Sequence, residues 1–299
     1  MEWTESLRSA IDYMEKNLLE DIHAEDVAEQ VHISSFYLQK VFRIMTGYSI
    51  GEYIRFRRLY LAALEVMQDD EKIIDIAYKY GYETPESFTK AFSRFHGVSP
   101  ARIKKNPDHI KMFLPLKIRI EVKGGNDMDV VVEKMNGFKV IGFDKVFETE
   151  TAQEEIPKYW TTFQKQYIMP LLWMGKKPKT AIEETILRCE IAEFGICIDD
   201  MEEKGKFHYM IAGRYDGGEV PEGMKVYEFQ DMEWAKFRCV GPMPGALQAL
   251  NNQIFKEWLP GNPDYEVAQY VNIEWYTKGD MSAANYESGV WIPVKRKKS

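Results

Sequence analysis

Residues 88–100 of this chain read FTKAFSRFHGVSP, and residues 38–50, fifty positions earlier, read LQKVFRIMTGYSI. When the two stretches are aligned, most of their apolar residues fall at the same positions. A repeat of this kind indicates that one small structural unit is built twice within the chain. Four residue types recur position for position, namely Lys40 and Lys90, Phe42 and Phe92, Gly47 and Gly97, and Ser49 and Ser99.

Each copy predicts two short helices joined by a tight turn. In the second copy Thr84 is a suitable N-cap, Pro85 occupies the first helical position, and Gly97 ends the helix. In the first copy Ser34 and Gly47 have the same roles. Apolar residues spaced three, four and seven apart predict one buried face for each helix. The predicted core positions are Val27, Ala28, Val31, Leu38, Val41, Phe42 and Met45 in the first copy, and Ile73, Ile76, Ala77, Tyr80, Phe88, Ala91, Phe92 and Phe95 in the second.

Two short helices joined in this way form the helix-turn-helix pattern. Between the copies, residues 50–68 (IGEYIRFRRLYLAALEVMQ) predict one long amphipathic helix that fixes their separation. A single such corner occurs in many helical cores, and a helical repeat without a role in DNA binding is the alternative reading. Two copies, each basic on its exposed face, favour DNA binding.

The charge of the chain is unevenly distributed. The net charge of −8 by itself disfavours binding to nucleic acid. Residues 31–62 and 79–105, however, each carry a net charge of +4. Since these two windows coincide with the two repeat copies, the local charge supports a nucleic-acid-binding role for the repeat.

The length and composition set the wider frame. With 299 residues, of which 45% are hydrophobic and 29% charged, the chain predicts about two packed domains. No apolar run reaches the roughly 18 residues of a membrane-spanning helix, and the start, MEWTESLRSA, lacks signal-peptide features, so we expect a cytoplasmic protein without a membrane partner. Cys189, Cys197 and Cys239 are predicted to be buried apolar residues, and we expect no metal site and no cofactor.

Residues 5–106 resemble the DNA-binding domain of AraC/XylS transcription regulators. The resemblance is carried by IGEYIRFRRLYLA, from residue 50, and by DIAYKYGYETPESFTKAFSRFHGVSPARIK, from residue 75. It implies that one chain holds two recognition helices about one turn of DNA apart, roughly 34 Å, so that both enter successive major grooves. The domain is assigned to residues 1–108.

The resemblance also implies which side chains read the DNA. Gln39 can pair with adenine, Lys40 with guanine or phosphate, and Phe36 can contact a thymine methyl group. For Glu86, a contact to cytosine and a solvated acid at the helix start both stay open. The arginines of the connecting helix, Arg55, Arg57 and Arg58, are expected to meet phosphate or to support that helix. The predicted DNA-binding residues are Ser35, Phe36, Gln39, Lys40, Arg43, Glu86, Ser87, Thr89, Lys90 and Arg94.

The rest of the chain predicts an α+β domain. Residues 109–127 are interpreted as a linker that leads into a strand, because Leu116, Ile118, Ile120 and Val122 alternate with charged residues. From residue 128 onward, a strand-helix-strand-strand module occurs twice, which predicts a cleft between two halves. The predicted elements are FKVIGF, the helix of residues 156–173, AEFGICID and FHYMIAGRY, and then WAKFRCVG, the helix of residues 245–258, AQYVNIEWY and SGVWIPVK.

Residues 128–299 resemble the GyrI-like effector-binding domain, through EKMNGFKVIGF, PKYWTTF, PEGMKVYEF, EWAKFRCVG, IFKEWLP, NIEWYTKGD and VWIPVK. The order of the two domains resembles that of Rob-like regulators. Relatives that bind cationic drugs place a carboxylate among aromatic rings. Gly289 stands where they often carry that acid, and Glu274 is the best remaining carboxylate, with a surface acid as the alternative. The predicted effector-binding residues are Trp160, Phe163, Tyr209, Tyr270, Glu274, Tyr276 and Trp291.

Together these resemblances imply a multi-domain protein with an all-α first domain and an α+β second domain. They imply a sequence-specific transcription regulator, an activator by family expectation, that binds promoter DNA, RNA polymerase and an aromatic or cationic small-molecule effector. The alternative is a GyrI-like protein that binds or hydrolyses small molecules and whose DNA-binding domain is secondary. Hydrolysis needs a poised base beside a water molecule, and His208 is the one histidine of the second domain, so we do not expect an enzyme.

Overall fold

The computed structural model describes residues 3–68, 71–103, 105–118, 128–199 and 205–297. It divides into two compact units. The first comprises Met1–Ile33 and Leu38–Ile120, and the second comprises Ser34–Tyr37 and Glu121–Ser299. None of the described helices is long and apolar enough to cross a membrane.

The first unit is helical and contains the predicted helix-turn-helix pairs, except that Ser34–Tyr37 are grouped with the second unit. The first pair is α2 with α3, the second is α5 with α6, and α4 connects them over the predicted residues 50–68. The helix bounds are α1 Trp3–Lys16, α2 Ala24–Gln30, α3 Ser35–Thr46, α4 Ile50–Gln68, α5 Ile73–Lys79, α6 Pro85–His96 and α7 Pro100–Ile103, and a short 3₁₀ turn follows at Pro107–His109.

The second helix of each pair, α3 and α6, begins and ends at the predicted residues. The Oγ of Ser34 accepts the backbone N–H of Tyr37 at 3.0 Å, and the Oγ1 of Thr84 accepts that of Ser87 at 3.1 Å. Gly47 and Gly97 follow the two helices with φ angles of +82° and +79°. Only glycine adopts this left-handed conformation without steric cost, so each helix ends at the repeated glycine.

The core of the second pair includes α4. Phe88 and Phe92 of α6 are fully buried and pack in one cluster with Ile76 of α5 and with Leu59 and Ala63 of α4. The connecting helix therefore contributes its own apolar face to the pair that follows it. This shared core fixes α6 relative to α4 through close packing rather than through the turn alone.

The segment after α7 differs from the prediction. Leu116 and Ile118 lie in irregular structure rather than in a strand, and the strand predicted onward through Ile120 and Val122 falls outside the described residues. Phe113 packs edge-on against Tyr48 and Phe56 of the first unit, at ring-centroid distances of 5.3 and 5.5 Å. The backbone N–H of Leu116 donates to the Tyr53 hydroxyl at 3.3 Å, so this group has a partner in the first unit instead of a neighbouring strand. The predicted domain boundaries at residues 108 and 128 stay predictions.

The second unit is an antiparallel sheet with helices, and the predicted modules β2-α8-β3-β4 and β6-α10-β8-β9 are present. The sequence missed β1, β5, β7 and α9. The strands are β1 Val130–Met135, β2 Phe138–Glu148, β3 Phe194–Ile198, β4 Lys206–Arg214, β5 Lys225–Phe229, β6 Met232–Val240, β7 Tyr265–Val267, β8 Val271–Tyr276 and β9 Glu287–Arg296. The helices are α8 Ala152–Phe163, continued by π-helical turns over Gln164–Trp173, α9 Ala181–Arg188, and α10 Gly245–Gln253, continued over Ile254–Trp258 and Leu259–Gly261.

The order of the strands shows that the two halves exchange their leading strands. The sheet runs β1-β6-β9-β8-β3-β4-β2-β5, with β7 beside β9. Thus β1, which precedes β2 in the chain, pairs with β6, and β5, which precedes β6, pairs with β2. The two crossing turns meet where the N–H of Gly137 donates to Asp231 Oδ1 at 2.7 Å. This exchange ties the two predicted modules into one sheet.

The two faces of the sheet carry different cores. One face, with Ile141, Cys197 and Ile211, packs against residues of α8 and α9 such as Phe163 and Ile186. The other face carries a second cluster with Phe194, Ile196, Ile273 and Trp234. Phe138 and Phe229, from β2 and β5, reach Trp234 of β6 at 5.9 and 5.5 Å, so the sheet curls until strands far apart in its order meet. A residue's strand phase therefore decides which core it joins.

Candidate functional site

The first unit places one predicted set of reading side chains on α3. Arg43 is exposed, as predicted. The other members of this set, also predicted to lie on the exposed side of the helix, are half-buried, namely Ser35, Phe36, Gln39 and Lys40. Ser35 and Gln39 flank the buried residues Leu38 and Phe42 on the helix surface, since positions one and three apart lie within about 100° of each other.

The second set lies on α6 and is more open. Glu86, Ser87, Lys90 and Arg94 are exposed, and Thr89 is half-buried. The opposite face of the same helix carries the buried residues Phe88 and Phe92. The helix therefore offers two cations, two hydroxyl groups and the carboxylate of Glu86 on one side. The cations and hydroxyls suit phosphates and base edges, and a carboxylate suits only a base-edge donor.

The arginines of α4 separate into two groups. Arg57 is buried, and its guanidinium donates to both carboxylate oxygens of Glu15 at 2.8 and 2.9 Å and to the carbonyl of Phe113. Arg58 donates to the carbonyls of Leu18 and Glu20 at 2.6 and 2.5 Å, just beyond α1. Of the two roles left open by the sequence, support of the fold is the one that these two arginines have.

Two further charged residues of α4, Arg55 and Glu52, lie outside the core of the first unit. Arg55 is exposed and stays a candidate phosphate contact. The one acid of the first basic window, Glu52, forms a capping box in which its carboxylate accepts the N–H of Ser49 at 2.8 Å. That hydrogen bond, with Arg43 and Arg55 nearby, lowers the pKa of Glu52. The acid is thus engaged at the start of α4.

In the second unit, five of the seven predicted effector residues come together on one face of the sheet. The Nε1–H of Trp160 donates to the Tyr209 hydroxyl at 2.7 Å, and the Tyr276 hydroxyl donates to Glu274 Oε2 at 2.8 Å. The ring of Trp160 meets Tyr276 edge-on at 5.4 Å and Phe163 at 6.3 Å. We call Trp160, Phe163, Tyr209, Glu274 and Tyr276 the effector cluster.

The electrostatics of the effector cluster keep its phenols neutral. Burial, followed by the nearby carboxylate of Glu274, raises the pKa values of Tyr209 and Tyr276 well above their usual value of 10. Both hydroxyls are therefore protonated at neutral pH and act as donors and acceptors of hydrogen bonds rather than as bases. The cluster presents aromatic rings, two neutral hydroxyls and one carboxylate.

A glycine makes room for this arrangement. Gly195 of β3 stands opposite Glu274, and a Cβ atom there would lie 2.3 Å from the Tyr209 hydroxyl and 3.3 Å from Trp160. No side chain larger than hydrogen is compatible with that distance. The Trp160–Tyr209 hydrogen bond therefore depends on a glycine at position 195, a residue that the sequence did not single out.

Two more aromatic residues missed by the sequence extend the cluster. Phe143 of β2 stacks on Tyr167 at 5.4 Å, and both rings contact Phe163, at 5.6 and 5.4 Å. Tyr167 follows Phe163 by four residues and Trp160 by seven, so helical spacing was the signal that could have identified it.

The structure does not bring Trp291 or Tyr270 to the effector cluster. Trp291 pairs with Ile273, and its ring contacts Phe194 and Trp234 in the core of the opposite face. Trp291 follows Val290, the residue that stands opposite Glu274, by one position, so its side chain lies on the other face of the sheet. Tyr270 precedes β8 by one residue, four positions and so roughly 13 Å along the strand from Glu274.

Gly289, where relatives often carry an acid, faces the same opposite core. A Cβ atom there would lie 2.4 Å from Trp275 Nε1 and 2.0 Å from the carbonyl oxygen of Phe237. The space is thus filled by the indole of Trp275, which pairs with Gly289 across the strands. The glycine at this position therefore leaves no additional space for a ligand.

A separate surface pocket lies between β6 and α10, away from the effector cluster. It is lined by Asp129, Arg238, Cys239 and Leu250 among others. Its cation, Arg238, is already paired with Glu287 at 2.7 Å and Asp129 at 3.1 Å. Among the described residues, no group of three or more His, Cys, Asp or Glu side chains could hold a metal ion.

Two family models match the chain. A model described as helix-turn-helix domain covers residues 27–106, and a model described as integron-associated effector binding protein covers residues 132–294, which is more than half of the chain. The first match begins within α2 and contains the rest of both helix-turn-helix pairs, and the second contains the whole effector cluster.

Relatives known by name match the first unit. The chain is 38% identical over 89 residues to the HTH-type transcriptional activator AarP of Providencia stuartii, covering 30% of this chain and 66% of AarP, just under two thirds of that protein. It is 31% identical over 99 residues to the multiple antibiotic resistance protein MarA of Escherichia coli, covering 33% of this chain and 78% of MarA. A solved structure of SAV2435 bound to tetraphenylphosphonium resembles 56% of this chain and 94% of its own, with 21% identity and a TM-score of 0.45.

Proposed function

We propose that this chain, which belongs to the integron-associated effector binding protein family and carries an AraC-type helix-turn-helix domain, is a transcription regulator controlled by a small molecule. Its first unit binds promoter DNA, and its second binds the effector. The observation that carries the proposal is the repeated helix-turn-helix pair in one unit, in which α6 exposes Lys90 and Arg94 on the side opposite its core. A regulator of this kind acts in the cytoplasm, where its promoter DNA lies.

Within this proposal the reading is divided between two helices. On α3, Gln39 and Lys40 are the proposed base contacts and Arg43 a phosphate contact. On α6, Lys90 and Arg94 are the cations, with Ser87 and Thr89 beside them. Because one recognition helix specifies only a few base pairs, both helices together give one chain a useful specificity.

The test of DNA reading compares alanine variants of matched charge. Lys40→Ala and Lys90→Ala should each weaken binding, and a side chain that reads a base should cost ~1–3 kcal/mol on the specific site only, with Lys40 the more selective of the two. Arg8→Ala removes an exposed cation of α1 and is the control. Gel-shift titrations on specific and random DNA measure the difference. Equal losses on both DNAs for both variants would show that neither lysine reads bases.

We further propose activation through RNA polymerase, because AarP is a transcriptional activator by name. Transcription in vitro from a bound promoter, with purified polymerase, should rise when the chain is added. A fall in transcript at every concentration would assign the chain to repression instead.

For the second unit we propose binding of a planar aromatic effector at the effector cluster, without catalysis. The support is the set of rings around Trp160 together with the carboxylate of Glu274 and the protonated state of both phenols. Glu274→Gln should weaken a cationic aromatic ligand by ~1–3 kcal/mol, because the cation loses its charged partner, and should barely affect a neutral one. Calorimetric titration checks this, with Glu148→Gln as the control that removes an exposed carboxylate of β2. Cations that bind both proteins equally would remove Glu274 from the site.

A further inference from the structure

Asn272 is a buried polar residue whose side chain makes no hydrogen bond within the described part of the chain. Its side chain is only 4% exposed. Neither Oδ1 nor Nδ2 has a hydrogen-bond partner among the residues that the structure describes. Buried amides in folded proteins are almost always hydrogen-bonded, since an unsatisfied one has lost its water without replacement. A side chain in this state needs an explanation.

The strand phase of β8 places Asn272 on the face of the effector cluster. Its neighbours Val271 and Ile273 belong to the core of the opposite face. Asn272 therefore shares its face with Glu274 and Tyr276, two and four positions along the strand. Across the sheet it pairs with Cys197, which in turn pairs with Tyr209. The unsatisfied amide thus lies in the same cross-strand row as Tyr209 of the effector cluster, with Cys197 between them.

The two halves of the sheet contribute unequally at this place. The central pair of β3 and β8 is Ile196 opposite Ile273. One step to either side, β8 contributes Asn272 and Glu274, while the corresponding positions of β3 are Gly195 and Cys197. The first half thus supplies no amide and no carboxylate here, and it supplies rings from Trp160 and Tyr209 instead. Polar recognition is concentrated on β8.

We propose that Asn272 is the second polar recognition group of the effector site, and that it selects effectors with a neutral amide-like group. Its NH₂ donates and its oxygen accepts, so its complement is a primary carboxamide or a lactam, which does the same. Alternate residues of a strand are roughly 7 Å apart, so this group lies about that far from the one that faces Glu274. The effector class is an aromatic ring with an amide at one end and a donor, such as an amine, at the other.

This inference rests on the proposed effector function, and it is tested with a matched pair of probes. The probes are 4-(aminomethyl)benzamide and 4-methylbenzylamine, in which a methyl group replaces the carboxamide. Calorimetric titration of the full chain should show at least a tenfold preference for the amide. In Asn272→Leu, which keeps the approximate shape without polar atoms, the preference should fall close to one. Glu274→Gln should weaken both probes alike and keep their ratio.

Two further measurements separate recognition from structure. Without ligand, Asn272→Leu should melt at the same temperature as the parent chain or higher, because an apolar group replaces an unsatisfied amide. A lower melting temperature would show that Asn272 supports the fold and would overturn the proposal. The second measurement needs no variant: the N,N-dimethylamide of the first probe cannot donate, and should lose most of the tenfold preference.

The outcomes distinguish a failure of the proposed role of Asn272 from a failure of the proposed effector function. If the parent chain binds both probes equally, or if Asn272→Leu keeps the preference, the role of Asn272 is overturned while aromatic binding stands. If the parent chain binds neither probe nor any larger aromatic amine, the effector function and the role of Asn272 are overturned together.

Discussion

Arg57 lies in the middle of the connecting helix, yet its guanidinium points into the first unit. It is joined to Glu15 of α1 by two hydrogen bonds and to the carbonyl of Phe113 after α7. Tyr53, one turn earlier, donates to the same carboxylate at 2.6 Å. One buried charge pair thus connects the first helix, the connecting helix and the segment that leaves the unit, and so supports the reading helices without facing DNA.

Replacing Arg57 should cost considerable stability. Arg57→Ala leaves Glu15 without its cation. Because the Glu15 side chain is 20% exposed, we expect the lower end of the usual cost of breaking a buried ion pair, about 3 kcal/mol. Urea unfolding measures the change. Arg55→Ala, two residues earlier in the same helix but exposed, is the control and should change stability by less than about 0.5 kcal/mol. Equal effects of the two variants would contradict the structural role of Arg57.

His96, at the end of α6, is a buried histidine with a hydrogen bond at each ring nitrogen. Its Nδ1 accepts the N–H of Lys111 at 3.1 Å, so its Nε2–H donates to the carbonyl of Leu59 at 3.1 Å, and the ring is neutral. Burial, aided by the charge of Lys111, lowers its pKa below the usual 6.5. Below pH 6.5 the unfolded chain therefore binds more protons at this residue than the folded chain.

The stability contributed by neutral His96 should be complete above pH 6.5 and should be lost as the pH falls from there toward its folded pKa. Unfolding in urea between pH 5 and pH 7.5 measures the slope. His96→Gln cannot titrate and should flatten that slope, whereas His109→Gln, which changes an exposed histidine, should leave it intact. An unchanged slope in His96→Gln would assign the acid sensitivity to other groups.

At the scale of elements, close approaches between strands and helices set the geometry of the effector cluster. The strand β3 can pass beneath Trp160 and Tyr209 because it has no side chain at Gly195. The tyrosine is fully buried and has no space to move aside. The distance between α8, which carries Trp160, and the sheet therefore depends on the absence of a Cβ atom at Gly195.

Gly195→Ala should separate Trp160 from Tyr209 and destabilise the second unit by ~1–3 kcal/mol, as overpacking of a filled core does. Thermal unfolding together with tryptophan fluorescence would record both effects. The matched control is Gly245→Ala at the start of α10, where a Cβ atom meets nothing within 4 Å. That change should be neutral or slightly stabilising, because alanine favours the helix. A harmless Gly195→Ala would show that the cluster is loosely packed.

At the scale of the whole molecule, each unit contains its own internal duplication. The first has two helix-turn-helix pairs within one chain, so we expect DNA recognition without a second copy of the protein. The second has two modules bound into one sheet by exchanged strands. Under the proposed function, duplication in the first unit would supply two contacts to DNA, and duplication in the second would supply the two sides of a site for a small molecule.

The chain should therefore bind its DNA site as a monomer. Footprinting should reveal two adjacent protected major-groove segments on one face of the duplex, about one helical turn apart. Sedimentation of the complex at the same concentration should give one chain per site. Combined Lys90→Ala and Arg94→Ala should remove protection from one segment only, because α3 is unchanged. Protection of a single segment by the parent chain, or a strict need for dimers, would contradict this prediction.

Features that depend on residues close together in the chain could be predicted from the sequence. The repeat, the caps at Ser34 and Thr84, the terminal glycines and the span of α4 follow from local spacing and local hydrogen bonds, and the structure confirms them. The alternation and order of the strands likewise identified both modules of the second unit. Trp160, Tyr209 and Glu274 could be proposed together because a family resemblance supplied the association between residues distant in sequence.

Features that depend on pairing between distant parts of the chain became visible only in the folded protein. One step of strand phase turns Trp291 and Gly289 to the opposite core, and a sequence does not fix the phase of a strand that is buried on both faces. The inward turn of Arg57 depends on Glu15, forty-two residues away. The exchange of β1 and β5, and the unsatisfied amide of Asn272, likewise exist only once the strands are in register, because each depends on which distant backbone or side chain becomes a neighbour.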